Sequence, residues 1–286
     1  MVVKCERLPA PGETVMGGTF FMNPGGKGAN QAVAAARLGG QVVFVGNVGN
    51  DLFGRQAIEH FRQEGIKTDF VTLDQHHASG VALINVDRNG ENIITVAPGS
   101  NGNLMPQQIE NALNTLPIPG LILIQLEIPM ETVALAVRKG KAKGHRVILN
   151  PAPAQALSTE IYENLFLITP NESEAGLLTG IRVKDLSSAE QAARKLQEHG
   201  VIHVIITMGS KGAYVCSDGI SKLIPAPEAK AVDATAAGDC FNGALAVKLS
   251  EGASVEHSVS FAVRAASLSV TRMGAQASMP YRKEVD

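Results

Sequence analysis

Five short runs in this chain are apolar almost without interruption: VVFVG at 42–46, LILIQ at 121–125, RVILN at 146–150, LFLIT at 165–169 and HVIIT at 203–207. A strand covered on one face alternates apolar and polar positions. Continuous runs therefore predict strands buried on both faces, as in a parallel sheet. Between them the pattern changes to that of amphipathic helices, over 53–64, 131–142, 173–179 and 188–199. This alternation predicts an α/β fold with a doubly wound, mostly parallel sheet and right-handed crossovers. With 286 residues, no internal repeat and no low-complexity linker, the chain reads as a single domain over 1–286.

Two segments break the rule, ETVMGGTFFM at 13–22 and GVALINVDRNGENIITVA at 80–97. Both read as strands joined without helices, and RNGE in the second predicts a hairpin turn. Alternation in VALINVD leaves one face apolar and the other polar. A small discontinuous β sheet built from 13–22 and 80–97 therefore needs a cover. It would find one as a lid over an active site, as a homodimer interface, or as both. A surface hairpin without function is the simpler alternative.

Composition narrows the function classes. The formal charge is −2 and the basic residues are scattered, so neither nucleic acid nor an anionic membrane is an expected partner. The apolar runs are too short to span a bilayer, and the first residues lack the features of a signal peptide. Three cysteines without C-x-x-C spacing predict neither a disulfide framework nor a zinc site, and fit a reducing cytoplasm. His76 and His77 lie among polar residues and read as a solvated loop.

In open α/β sheets ligands bind beyond the carboxyl ends of the strands. The polar residues there are Glu127, the NPAPA that begins at Asn150, Asn171 and Glu174 of TPNESEA, and the MGSKGA that begins at Met208. Taken singly, Asn171 is explained as a helix cap and Glu174 by the helix dipole. NPGGKGANQAVAAARLGG at 23–40 places Gly25, Gly26, Lys27, Gly28 and Asn30 at the start of an Ala-rich helix, where bare N–H groups attract anions or hydroxyl oxygens. It is not a Walker A loop, because Gly28 follows Lys27, and it lacks the dinucleotide G-x-G-x-x-G spacing. A plain tight turn explains it equally well.

DATAAGDCFNGAL at 233–245 is more constrained. Ala236, Ala237 and Gly238 turn an extended segment into an apolar-faced helix, so their amides suit a phosphate in transit. Asp239, the wrong charge for binding that anion, fits a base taking a proton from the attacking hydroxyl. The competing reading makes Asp239 an N-cap and the small residues a packing site.

Together these stretches closely resemble the ribokinase-like family of carbohydrate kinases. GGKGANQAVAAARLG is similar to its N-terminal signature and DATAAGDCFNGALAV to its C-terminal one. NPAPA, TPNESEA, TMGSKG and SVTRMGAQASMP follow in the family's order, from about residue 7 to residue 282. Ala-Ala-Gly-Asp at 236–239, where many members have Gly-Ala-Gly-Asp, narrows the resemblance to members acting on ribose. It implies ATP-dependent phosphorylation of a sugar's primary hydroxyl, for D-ribose the 5-hydroxyl. Asp239 would be the base and the amides of Ala236, Ala237 and Gly238 the anion hole. Gly26, Lys27, Gly28, Asn30 and Glu127 would hold the sugar. Asn171 and Glu174 would act on Mg²⁺ and phosphate, Glu174 through water. Thr207, Met208, Gly209, Ser210, Lys211 and Gly212 would line the nucleotide site, with Gly238, and with Val263 near the adenine. Asp233, Thr235, Ser269, Arg272, Gly274 and Ser278 would surround a K⁺ ion, mostly through backbone carbonyls.

The chain also departs from the family. Members begin with a core strand carrying an Asn-x-Asp that grips the sugar, and MVVKCERLPAPGET aligns with the segment after it. A chain without that strand is expected to be impaired in sugar binding and stability. Val263 replaces a commonly polar residue, and Cys240 a Thr or Ser. Another sugar or nucleoside kinase, such as a fructokinase, and a non-catalytic sugar- or nucleotide-binding relative are the alternatives.

Overall fold

The computed structural model describes residues 1–217 and 219–286. A small sheet is assembled from β1 (Val2–Lys4), β2 (Thr19–Phe21), β5 (Val81–Val86) and β6 (Asn92–Ala97), in the order β2-β1-β5-β6. The expected hairpin joins β5 to β6, with Gly90 at φ 84° accepting the left-handed position of its turn. The first expected segment is mostly not strand. Only Thr19–Phe21 of 13–22 pairs, and it pairs with Val2–Lys4, a strand too short for sequence periodicity to reveal.

The rest follows the predicted alternation: α1 (Lys27–Arg37), β3 (Val43–Gly49), α2 (Leu52–Gln63), β4 (Lys67–Asp74), α3 (Pro106–Thr115), β7 (Leu121–Ile124), α4 (Met130–Ala142), β8 (Arg146–Leu149), α5 (Thr159–Glu163), β9 (Leu167–Ile168), α6 (Glu172–Thr179), α7 (Leu186–Glu198), β10 (His203–Thr207), β11 (Gly212–Ser217), β12 (Ile220–Pro225), α8 (Ala237–Ser250), α9 (Val255–Ser269) and α10 (Arg282–Val285). β7, β8, β9 and β10 run parallel, so their carboxyl ends share one edge. β11 and β12 extend that sheet antiparallel, in the order β12-β11-β10-β9-β8-β7. Helices cover both faces. One core cluster gathers Ile148, Leu167 and Ile205 with Val33, Phe241, Leu245 and Phe261 from α1, α8 and α9. The other gathers Val147, Leu149 and Ile206 with Leu113, Val137 and Leu196 from α3, α4 and α7. Full burial of each such side chain stabilises the fold by about 1.5–3 kcal/mol.

The parallel strands do not form one continuous sheet. β3 pairs only with β4 and β7 only with β8, and no described strand pairs with the other edge of either. Side chains span the division instead. Phe44 and Leu123 pack against the same core cluster, and Phe44 and Gln125 both flank Gly28 at the start of α1.

Candidate active site

Asp239 sits in the first turn of α8, which is buried on nearly every side rather than along one apolar face. The residue ahead of the helix, Ala236, has φ 60°, the only positive φ among the described non-glycine residues. That turn leaves the helix without a side-chain cap. The Ala237 N–H donates to Ala234 O at 3.2 Å, whereas those of Gly238 and Asp239 have no acceptor among the described residues. A Cβ built on Gly238 would meet nothing within 4 Å, so open space lies beside this first turn. Partial positive charge, two uncommitted donors and room make this helix end fit an anionic group.

α1 closes the other side. Gly26 caps it at φ 93°, and the Lys27 N–H donates to Glu127 Oε2 at 2.8 Å, tying the helix start to the end of β7. Asn30 Nδ2 donates to Asp239 Oδ2 at 2.8 Å, and Gln31 Nε2 donates to Asp239 Oδ1 at 3.0 Å. Asn30 Oδ1 is buried without a partner, an acceptor in want of a hydroxyl or amide donor. α1 reaches α8 this closely because residue 243 is glycine: a Cβ there would stand 2.6 Å from Gln31 O and 2.7 Å from the Ala34 Cβ.

Three carboxylates feel the charge of Lys27. Burial pushes Asp239 above the usual carboxylate range, opposed by the hydrogen bonds from Asn30 and Gln31 and by the charge of Lys27. Burial likewise raises Glu127 and Glu174; Lys27 lowers both, and the charge of Asp239 raises both. Glu174 also closes a capping box: its N–H donates to Asn171 Oδ1 and its Oε2 accepts from the Asn171 N–H, each at 2.8 Å. A parallel bridge then joins Asn171 to Thr207. The expected sugar and phosphate residues Gly26, Lys27, Gly28, Asn30, Glu127, Asn171, Glu174, Thr207 and Asp239 therefore share the carboxyl edge of the parallel strands.

The remaining expected residues lie around it. After β10, Met208 is buried, Gly209, Ser210 and Lys211 form one exposed 3₁₀ turn, and Gly212 at φ 112° turns into β11. Lys211 is 3.5 Å from Glu172. Val263 lies inside the core cluster, 4 % exposed, so it does not face an open cleft. The Asp233 carboxylate accepts from the Thr235 and Gly274 N–H groups, each at 2.9 Å, and these bonds hold it below its usual range against burial. The Arg272 guanidinium turns away to Glu284 at 2.6 Å, while Ser269 and Ser278 are buried. His77 pairs with Asp74 in an exposed turn, as the solvated-loop reading expects.

Sequence reasoning passed over Gln31, Gln125, Thr169 and Asn242, and took Asn150 only as a strand end. Gln31, Asn150, Thr169 and Asn242 are buried polar residues linked to Asp239 or to its neighbour Gly238. Gln31 and Asn242 had one sign, an amide within an otherwise small or apolar helical segment.

The chain matches the pfkB family of carbohydrate kinases over residues 1–282. The chain belongs to this family. It is 41% identical to the ribokinase of Haemophilus influenzae over 283 residues, covering 99% of this chain and 92% of that protein. The crystal structure of ribokinase from Thermotoga maritima superposes with a TM-score of 0.88 at 40% identity, covering 99% and 93% of the two chains. The structure of Arabidopsis thaliana ribokinase complexed with ribose and ATP superposes with a TM-score of 0.89 at 33% identity, covering 99% and 93%. As a pfkB carbohydrate kinase the protein is a phosphotransferase with an alcohol acceptor. Among the described residues no helix is long and apolar enough to cross a membrane.

Proposed function

We propose that this chain is a ribokinase that transfers the γ-phosphoryl group of ATP to the 5-hydroxyl of D-ribose. One observation carries the reading: a buried carboxylate, Asp239, is held by Asn30 and Gln31 beside an uncapped helix end that faces open space. Asp239 accepts the proton of the attacking hydroxyl as the new O–P bond forms and the bond to the ADP oxygen breaks. The Ala236–Ala237–Gly238 turn presents the Gly238 and Asp239 N–H groups to the charge that grows on the phosphoryl oxygens, with Ala237 giving up its longer bond to Ala234. Asn30 Oδ1 accepts from a sugar hydroxyl; Gly26, Lys27, Gly28 and Glu127 shape the rest of the sugar site. Thr207 to Gly212 and Gly238 hold the nucleotide, with Val263 behind the adenine.

Glu174 and Asn171 would serve a Mg²⁺ ion, because their capping box holds Glu174 at the carboxyl edge of the parallel strands while engaging only Oε2 of its carboxylate. Mg²⁺ would neutralise phosphate charge, with Glu174 holding its water. Asp233, Thr235 and Gly274 are already drawn together by the Asp233 carboxylate, which fits a pair of loops offering carbonyls to K⁺ alongside Ser269, Arg272 and Ser278. The ion would stiffen the approach to the anion hole. The protein acts in the cytoplasm, as a homodimer formed through the small sheet.

An assay coupled to ADP release, run with ribose, deoxyribose and fructose, tests the reading. Ribose should give the highest kcat/KM. Fructose turning over fastest would mark a fructokinase, and nucleotide or sugar binding without turnover a non-catalytic relative. Asp239→Asn should lower kcat by about 10²–10⁴-fold while nucleotide affinity stays within about twofold.

A further inference from the structure

Asp239 is one end of a buried polar ring. Gln31, 1 % exposed, donates one N–H to Asp239 Oδ1 and the other to Asn150 Oδ1, both at 3.0 Å, while its Oε1 accepts from Gln125 Nε2. Asn150 Nδ2 donates to Thr169 O at 3.3 Å, and Thr169 Oγ1 to Asn242 Oδ1 at 2.6 Å. Asn242 Nδ2 then donates to Gly238 O at 2.8 Å. The ring returns to the peptide group joining Gly238 to Asp239, whose N–H is one of the uncommitted donors at the helix end.

We propose that Gln31 is a positioning residue for the phosphoryl transfer, its side-chain amide locking the Asp239 carboxylate to the ends of β7, β8 and β9. The inference rests on Asp239 being the base. Both amide hydrogens and the amide oxygen of Gln31 are used, so its orientation is fixed: the flipped amide would set its oxygen against the Asp239 carboxylate and the Asn150 carbonyl. Burying an amide costs free energy that an aliphatic side chain would not. Helix packing alone therefore does not account for glutamine at position 31; the need to orient and solvate a buried carboxylate does. Asn30 fixes the second oxygen of Asp239 but keeps its own Oδ1 unpartnered, so it faces both base and substrate. Gln31 has no N–H left for substrate and is buried away from it, so it acts only through Asp239.

The charged and titratable groups around Asp239 are Lys27 from α1, Glu127 after β7, Glu174 from α6 and Cys240 beside it on α8. Burial pushes the Cys240 thiol up to about 12, so it stays neutral. None of these changes when Gln31 is replaced, and the carboxylate then loses one of its two side-chain donors.

The test is kcat against pH for folded Gln31→Leu, with ribose and ATP. The acidic limb should move up by about one pH unit, since a hydrogen bond to the charged form has been removed. The KM for ATP should stay within about twofold. A limb at the wild-type position overturns the proposal, whatever happens to kcat, because lost packing alone lowers stability without moving the limb. Should Gln31→Leu fail to fold, the isosteric Gln31→Glu replaces the donor with a second carboxylate and should move the limb at least as far; an unmoved limb is equally fatal there. Asp239→Asn separates the two claims. If it keeps turnover, the base assignment falls and this proposal with it. If it is inactive while the Gln31 variants keep the wild-type limb, only the positioning role falls.

Discussion

Ala236 holds a left-handed backbone, φ 60°, at the entry to α8. For an L-residue with a Cβ this conformation costs roughly 1–2 kcal/mol. Ala236→Gly removes that strain but gives the unfolded chain about 0.5–1 kcal/mol more entropy to lose. The net expected change is a gain of up to about 1 kcal/mol, measured as a higher urea midpoint at unchanged m-value. A lower midpoint would show that the alanine methyl contributes packing worth more than the strain. At this scale much of the site was legible. Lys27, Asn30, Glu127 and Asp239 stand at the ends of apolar runs or at the mouths of helices, and the sheet edge gathers them. Gln31 was not legible, because its role depends on which helix α1 meets, and nothing local specifies that. That Val263 is buried in the core was not legible for the same reason: order along the chain does not tell a core face of α9 from a cleft face.

Among the elements, the α1–α8 contact governs the site. Gly243 lets Asn30 and Gln31 reach Asp239, and a side chain there would collide with backbone, which cannot swing aside. Gly243→Val should cost roughly 1–3 kcal/mol through overpacking. It should also lower kcat more than Ala236→Gly does, because both donors to Asp239 retreat together. Thermal melts and initial rates on the same preparations check both effects; wild-type kcat in a destabilised Gly243→Val protein would show that the donors reposition independently of the helices. The strand centres were legible because burial on both faces leaves a continuous apolar run. Their ends were less so, as LFLIT predicts five residues where only Leu167–Ile168 pairs. Strand length depends on the neighbour's register, which the run itself does not encode. β1 escaped detection because three residues carry no period, and its partners lie at Thr19–Phe21 and in β5.

For the whole molecule, the small sheet carries apolar residues on both sides, not on one as the alternation in β5 predicts, because β2 and β6 add Phe20 and Ile93 to the face expected to be polar. Cross-strand register places Phe21, Ile84, Ile94 and Val96 on one face and Phe20, Leu83 and Ile93 on the other, and Ile93 and Ile94 are each about half exposed. Under the proposed function one face would cover the sugar and the other would meet a second copy of the chain. Ile93→Lys and Ile94→Lys, on opposite faces, should separate these roles. One variant should elute as a monomer in size-exclusion chromatography, and the other should raise the KM for ribose; two variants that both stay wild-type would leave the sheet with neither role.

The division between β3 and β7 has a consequence for local opening. Arg146 N donates to Gly120 O and Asn150 N to Ile124 O, so the even-numbered residues of β7 face β8 and the N–H groups of Leu121 and Leu123 point into the division. Native-state hydrogen exchange should therefore alternate along one strand in the middle of the protein, fast at Leu121 and Leu123 and slow at Ile122 and Ile124. An extended segment that paired there would silence the alternation and bind the two parts of the sheet into one cooperative unit. The exchange pattern thus reads, residue by residue, whether the parallel strands beneath Asp239 move as one piece or as two.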